Sequence, residues 1–244
     1  MGRWKTVANA KTRDGASMIP QRLISVVKEI LNMFYPKHES EPVPPRHITP
    51  SYSRFPMPAK RYSIHSLEYL ATRGISLPFV EKVHTMYPTE MGICFMLEGG
   101  VCFQERITSP QRLCRRFRSQ YGSEMGGCVY SPGVVSVFQC PLLVVTEGTA
   151  DALVIEQEGL RAISLLGTSL TKEKLHLVRQ YPSERLYYIP DNDVPGLYAA
   201  NEIIRELGAE VYLVPLEYKD AAAVPMVRRA QWLAPLLSRL GSGK

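Results

Sequence analysis

The spacing of apolar positions changes along this chain, and each change predicts a different kind of structure. Over residues 20–35, Leu23, Val26, Val27, Ile30, Leu31 and Phe34 recur at helical spacing behind Pro20, which suits a first helical turn. One amphipathic helix is expected there. Residues 36–60 lose that period and are rich in proline, which predicts an extended linker. Beyond Tyr62 the pattern becomes compact. Residues 66–73 read as a short helix stopped by Gly74, and Ser76 is expected to cap a second helix with Pro78 in its first turn. Residues 93–97 and 101–107 flank Gly99-Gly100 as the arms of a hairpin.

After Pro141 the apolar residues gather into four short runs, at 142–146, 162–165, 186–190 and 211–215. The segments between them are long enough for the crossover helices that parallel strands require. The clearest helix carries Leu197, Ala200, Ile203, Ile204 and Leu207 and ends at Gly208. Alternating strands and helices predict an α/β fold: an open, mostly parallel sheet flanked by helices, preceded by a smaller basic α+β subdomain. The expected organisation is a basic arm, helix and linker over 1–60, the basic subdomain over 61–140, the parallel-sheet domain over 141–216, and a carboxyl-terminal helical segment over 217–244.

Composition adds exclusions. With 45% apolar residues in 244, the chain can bury a core, yet it has no 18-residue apolar run, so no membrane span is expected. Its five cysteines are widely spaced with no Cys-x-x-Cys pair, which argues against zinc and against a disulfide scaffold. That usage reads as a reduced, cytoplasmic protein. Charge is uneven. Residues 1–140 carry 18 Lys and Arg against 10 Asp and Glu, a net of +8, whereas residues 141–244 carry 11 against 13, a net of −2. Such a division suits a chain that grips a polyanion with one part and holds cations with the other. Within the basic half, Arg106, Arg112, Arg115, Arg116 and Arg118 lie close to Phe117 and Tyr121. Guanidinium forks pair with phosphates and aromatic rings stack on bases, so this stretch is the candidate nucleic-acid surface.

The acids fall at particular places. In an open parallel sheet, ligands bind at the carboxyl ends of the strands. Glu147 follows the first run, Asp191 and Asp193 follow the third, and Lys219 and Asp220 follow the fourth. Residues two apart in extended chain point the same way, about 6–7 Å apart, so Asp191 and Asp193 repel each other unless a cation lies between them. Magnesium binds through one or two carboxylates and keeps waters and substrate phosphate as its other ligands. Gly148 and Gly196 allow the backbone to turn sharply beside it.

Val145-Thr146-Glu147-Gly148-x-x-Asp151, then Ser164-Leu165-Leu166-Gly167-Thr168-Ser169-Leu170, then Asp191-x-Asp193-x-x-Gly196, then Lys219-Asp220 together resemble a TOPRIM domain. That module occurs in bacterial replicative primases, phage primase-helicases, topoisomerases and several nucleases, and the order here is most similar to the polymerase core of primases. The resemblance implies a magnesium- or manganese-dependent nucleotidyl transferase that makes short primers on single-stranded DNA from nucleoside triphosphates. It implies Glu147 as the acid near the reacting centre, Asp191 and Asp193 as magnesium ligands, and Asp220 as a further acid of that set. Asp151 is implied as a supporting acid on the first crossover helix. Lys219, Gly148, Gly167 and Gly196 would face the nucleotide, and the five arginines would form the template ridge. A replicative helicase is the implied partner. A small stand-alone core would suit a virus or mobile element, acting in the host cytoplasm. The chain departs from the pattern at Leu197, where primases place Arg or Lys after the glycine, and in the apolar Val194-Pro195; it also shows no zinc-binding or helicase segment. Two other readings stay open: a metal-dependent TOPRIM nuclease, and a non-catalytic nucleic-acid-binding or helicase-loading module.

Overall fold

The structure is a computed structural model that describes residues 55–99, 102–110, 116–119 and 125–240. The helix expected at 20–35, together with Arg112 and Arg115, lies outside the described residues. Helix α1 spans Ile64–Thr72; the Ser63 side chain accepts from the Ser66 N–H at its start, and Gly74, at φ +63°, turns the chain after its end. Helix α2 is a single turn, Leu77–Val80, with Pro78 in it as expected. The expected Ser76 side-chain cap is not made. Instead the Ser76 N–H donates to Gln157 Oε1 at 2.7 Å, which anchors the start of the helix to a side chain distant in sequence.

Strands β1 (Met86–Pro88), β2 (Gly92–Leu97), β3 (Cys102–Ile107) and β4 (Phe117–Ser119) form an antiparallel sheet in that order. The expected hairpin is β2–β3, paired from Gly92 opposite Ile107 to Leu97 opposite Cys102. Its flanking strands are three residues each, too short for a two-residue alternation to mark them.

The second sheet is parallel throughout. Its elements are β5 (Leu142–Thr146), α3 (Thr149–Gln157), β6 (Arg161–Ser164), α4 (Lys172–Gln180), β7 (Arg185–Ile189), α5 (Val194–Leu207) and β8 (Glu210–Val211), with strand order β6-β5-β7-β8. Every residue of β5 is buried, because helices cover both faces of the sheet: Leu142 and Val144 enter one apolar cluster, Leu143 and Val145 the other. Helix α5 ends at Gly208 in the left-handed conformation, as its pattern predicts, and it begins at an Asp193 cap that the pattern did not mark. The fourth run was expected to continue as strand to 215 but pairs only over Glu210–Val211. Pro215 has no N–H for a ladder, and the carbonyls of Val214 and Pro215 accept from the Asn192 side chain. Helix α6 (Met226–Ser238) closes the described chain and buries Leu233 and Leu236 in the same cluster as Leu70, Val144 and Leu153. No helix among the described residues is long and apolar enough to cross a membrane.

The topology fixes where a site can form. After β5 the chain passes to β6 on one side, then crosses to β7 on the other. The carboxyl ends of β5 and β7 therefore flank the point where the winding reverses, which is where α/β sheets open a crevice.

Candidate active site

Glu147 directly follows β5 and is 8% exposed. Its Oε1 accepts two hydrogen bonds, from the Tyr188 hydroxyl at 3.0 Å and from the Asp191 N–H at 2.9 Å. Burial pushes its carboxyl above the usual range, against those two donors, which pull it down. The ends of β5 and β7 are thus joined through this one carboxylate. Gly196 closes the other side of it: a Cβ there would come 2.5 Å from Glu147 Oε1 and 2.6 Å from the Asp191 carbonyl. The backbone needs glycine here because nothing larger fits.

The Asp191-Asn192-Asp193 segment does three different things. Asp193 caps α5, its Oδ1 accepting from the Gly196 N–H at 3.0 Å. Asn192 points the opposite way and donates to the carbonyls of Val214, Pro215 and Tyr218, which brings the 214–220 loop up to the site. The backbone amide of Asn192 also donates to the Lys219 carbonyl at 2.6 Å. Asp191 carries a side chain that is 19% exposed, and Lys219 Nζ stands 3.9 Å from its Oδ2 and 3.8 Å from Asp193 Oδ2. Burial first, and then repulsion from Asp151, Glu147 and Asp220, raise the Asp191 carboxyl to about 8, with Lys219 opposing.

Asp151 and Asp220 sit together on the other flank. Asp151, in the first turn of α3, is buried and accepts from the Ala222 N–H at 2.9 Å; burial and the nearby Asp220 raise its carboxyl. Gly148 leaves room for it, since a Cβ would lie 2.5 Å from Asp151 Oδ2. Asp220 caps the 3₁₀ turn Ala221–Ala223, and both of its oxygens accept from Arg73 at 3.2 Å. Gly167 enters from the side, its N–H donating to the Glu147 carbonyl, while Ser164 Oγ donates to the same oxygen. That loop is held from beneath by Lys174, buried on α4, whose ammonium donates to the carbonyls of Leu165 and Ser169.

The acids read from the sequence thus share one end of the sheet and act on one another electrostatically, while Asp220 is already committed to Arg73 and a helix cap. Among the described residues, no three His, Cys, Asp or Glu side chains are arranged to enclose an ion. Magnesium does not require such a cage, since it takes one or two carboxylates and retains its waters. The donor chemistry fits it: hard carboxylate oxygens, and an Asp191 charge that its surroundings disfavour in the absence of a cation.

Arg73, Tyr188, Asn192 and Lys174 are part of this arrangement and were not singled out by the sequence. Only Asn192 carried a signal, by lying between the two aspartates. Of the arginines, Arg116 is exposed. Arg106 stacks between the rings of Tyr69 and Phe117, 4.7 and 4.9 Å from their centroids, and Arg118 pairs with the fully buried Glu105.

Residues 144–224 match the sequence family described as Toprim-like. Comparison with curated protein sequences gives no match. Among solved structures, the primase fragment of the bacteriophage T7 primase-helicase protein is 20% identical with a TM-score of 0.54, over 72% of this chain and 74% of that one. The DnaG catalytic core is 15% identical with a TM-score of 0.52, over 72% and 73% of the two chains. The DnaG primase catalytic domain bound to ssDNA is 15% identical with a TM-score of 0.51, over 91% and 78%. At these identities the likeness is one of fold.

Proposed function

From a TOPRIM domain set in a primase-like core fold, we propose that this protein is a primase-like nucleotidyl transferase that synthesises short primers on a single-stranded DNA template. One observation carries the reading. The acid after β5 and the acids after β7 are joined by the 2.9 Å bond from the Asp191 N–H to Glu147, at the crevice where the sheet reverses its winding.

In the reaction proposed, a primer 3′-hydroxyl attacks the α-phosphorus of a nucleoside triphosphate, the new phosphodiester forms, and pyrophosphate leaves. Glu147, Asp191 and Asp193 would be the source of the one or two carboxylates that magnesium or manganese takes, with Asp220 at the margin through its bond to Arg73. A divalent cation in this place neutralises phosphate charge and lowers the barrier to displacement. Lys219, 66% exposed beside Asp191 and Asp193, supplies a movable positive charge for the triphosphate. The Glu147 oxygen not engaged by Tyr188 would meet the metal, which sets this acid beside the attacking hydroxyl. Arg116, with Arg112 and Arg115, would contact the template backbone. A helicase would be the partner that presents the template.

Primer synthesis with magnesium and all four nucleotides on varied single-stranded templates tests this. Product above an Asp191→Ala control supports it, and its absence on every template overturns it. Leu197 after Gly196 keeps the non-catalytic binding reading in view, because the cation usual in primases is replaced there by an apolar side chain. Cleavage of labelled strands in parallel reactions with magnesium and no nucleotides would assign the site to a metal-dependent nuclease instead.

A further inference from the structure

Tyr188 takes no part in the proposed reaction, yet its hydroxyl meets the acid at the centre of the site. We infer that Tyr188 is a positioning residue that fixes one oxygen of Glu147 so that the other is presented to the metal; this rests on the proposed metal-dependent site.

Tyr187 and Tyr188 are neighbours in β7, and the pleat sends them to opposite faces of the sheet. Tyr187 packs in the cluster that includes Val144, and its hydroxyl meets Arg239. Tyr188 packs in the cluster that includes Val145 and Ile203, is 0% exposed, and runs its hydroxyl to Glu147 Oε1 at 3.0 Å. A phenol in a strand interior has no packing reason to be preferred to phenylalanine; the hydroxyl must find a partner there, and the partner it finds is the acid of the site. The Asp191 N–H supplies the second donor at 2.9 Å, and Gly196 leaves no space beyond, since a Cβ would stand 2.5 Å from Oε1. Oε1 is therefore seated between two donors and a backbone wall. Oε2 accepts nothing from the described residues. One carboxylate oxygen is held and one is left for the crevice, the division of labour by which hydrogen bonds outside a metal's ligand shell orient the ligands themselves.

Tyr188→Phe tests this, since it removes one oxygen atom and keeps the ring in its cluster. Tyr187→Phe is the matched control, losing a hydroxyl from the opposite face. Binding of manganese alone, followed by calorimetry or electron paramagnetic resonance, should weaken about tenfold in Tyr188→Phe. The magnesium concentration for half-maximal primer synthesis should rise by a similar factor, with KM for nucleotide unchanged and Tyr187→Phe behaving as wild type. Equal manganese affinity in Tyr188→Phe and wild type overturns the inference, as does equal weakening in both variants. Failure here is separable from failure of the proposed activity. A wild type that makes no primers but binds manganese more tightly than Tyr188→Phe supports the positioning role and refutes the polymerisation. A wild type that binds no manganese refutes both.

Discussion

Asp191→Asn should stabilise the metal-free protein while removing its activity. The Asp191 carboxyl is raised from its ordinary 3.8 to about 8, so the folded chain holds this proton more strongly than the unfolded chain does. The sign follows by linkage: the group's contribution to stability is fully present below 3.8, erodes as pH climbs, and is lost above about 8. About four units at roughly 1.4 kcal/mol each would amount to about 5–6 kcal/mol for a sealed carboxylate. The side chain is 19% exposed and its repulsion is shared among several acids, so about 1–3 kcal/mol is the realistic figure. The loss of Lys219 as a partner subtracts little, because that ammonium is 66% exposed at 3.9 Å. Urea denaturation in a chelator is the assay. At about pH 8.5 the variant should be the more stable by that margin, and at about pH 5 the gap should shrink to less than half. Saturating magnesium should then stabilise wild type more than the variant, since only wild type retains the full ligand set. A variant less stable than wild type at the alkaline pH without metal, or a gap that ignores pH, would refute the electrostatic reasoning.

Gly196→Ala should abolish metal-dependent activity and cost about 2–4 kcal/mol in denaturant, because the new methyl meets the Asp191 carbonyl at 2.6 Å as well as the Glu147 carboxylate; activity within tenfold of wild type would contradict it. Lys174→Met should leave the carbonyls of Leu165 and Ser169 without their buried donor. Amide exchange at Gly167 should accelerate about tenfold by loosening of that loop, and unchanged exchange would show that the loop is held elsewhere. Arg116→Ala should weaken single-stranded DNA binding and reduce its salt dependence by about one unit of slope, with no change in thermal stability. Arg118→Ala should do the reverse, costing about 3–5 kcal/mol by stripping the charge partner from the fully buried Glu105; thermal melts beside binding isotherms separate the two.

The parallel sheet was legible because its strands are buried on both faces and so appear as unbroken apolar runs, of which 142–146 matches its strand residue for residue. Helix α5 was legible in its apolar stripe and at its end, through Gly208, whereas its Asp193 cap was seen only as an acid of the site. The 211–215 run was over-read, since apolar composition cannot show that Pro215 and the Asn192 side chain take the place of a ladder. The site acids were visible from their positions after successive strands. Their supports were not, for physical reasons. Arg73 reaches Asp220 across 147 positions, Tyr188 looks like any aromatic strand residue until its hydroxyl is seen to meet Glu147, and Lys174 looks like a solvated lysine on a charged helix. Neither the composition of the arginine stretch nor its likeness to a template ridge distinguishes exposed Arg116 from Arg118 on its buried partner.

The two borders of the parallel sheet have a bearing on how the molecule behaves in a crowded solution. On one side, β8 is two residues long; on the other, Ser164 of β6 exchanges both backbone hydrogen bonds with Tyr130, which follows a residue paired in turn with Glu98 at the end of the hairpin. Neither margin offers a foreign strand a long row of vacant amides and carbonyls, so sheet-to-sheet association of separate copies is discouraged by construction. The residue whose backbone completes this closure also donates its hydroxyl to the Glu147 carbonyl, so the protected margin and the shape of the reactive crevice meet at a single position.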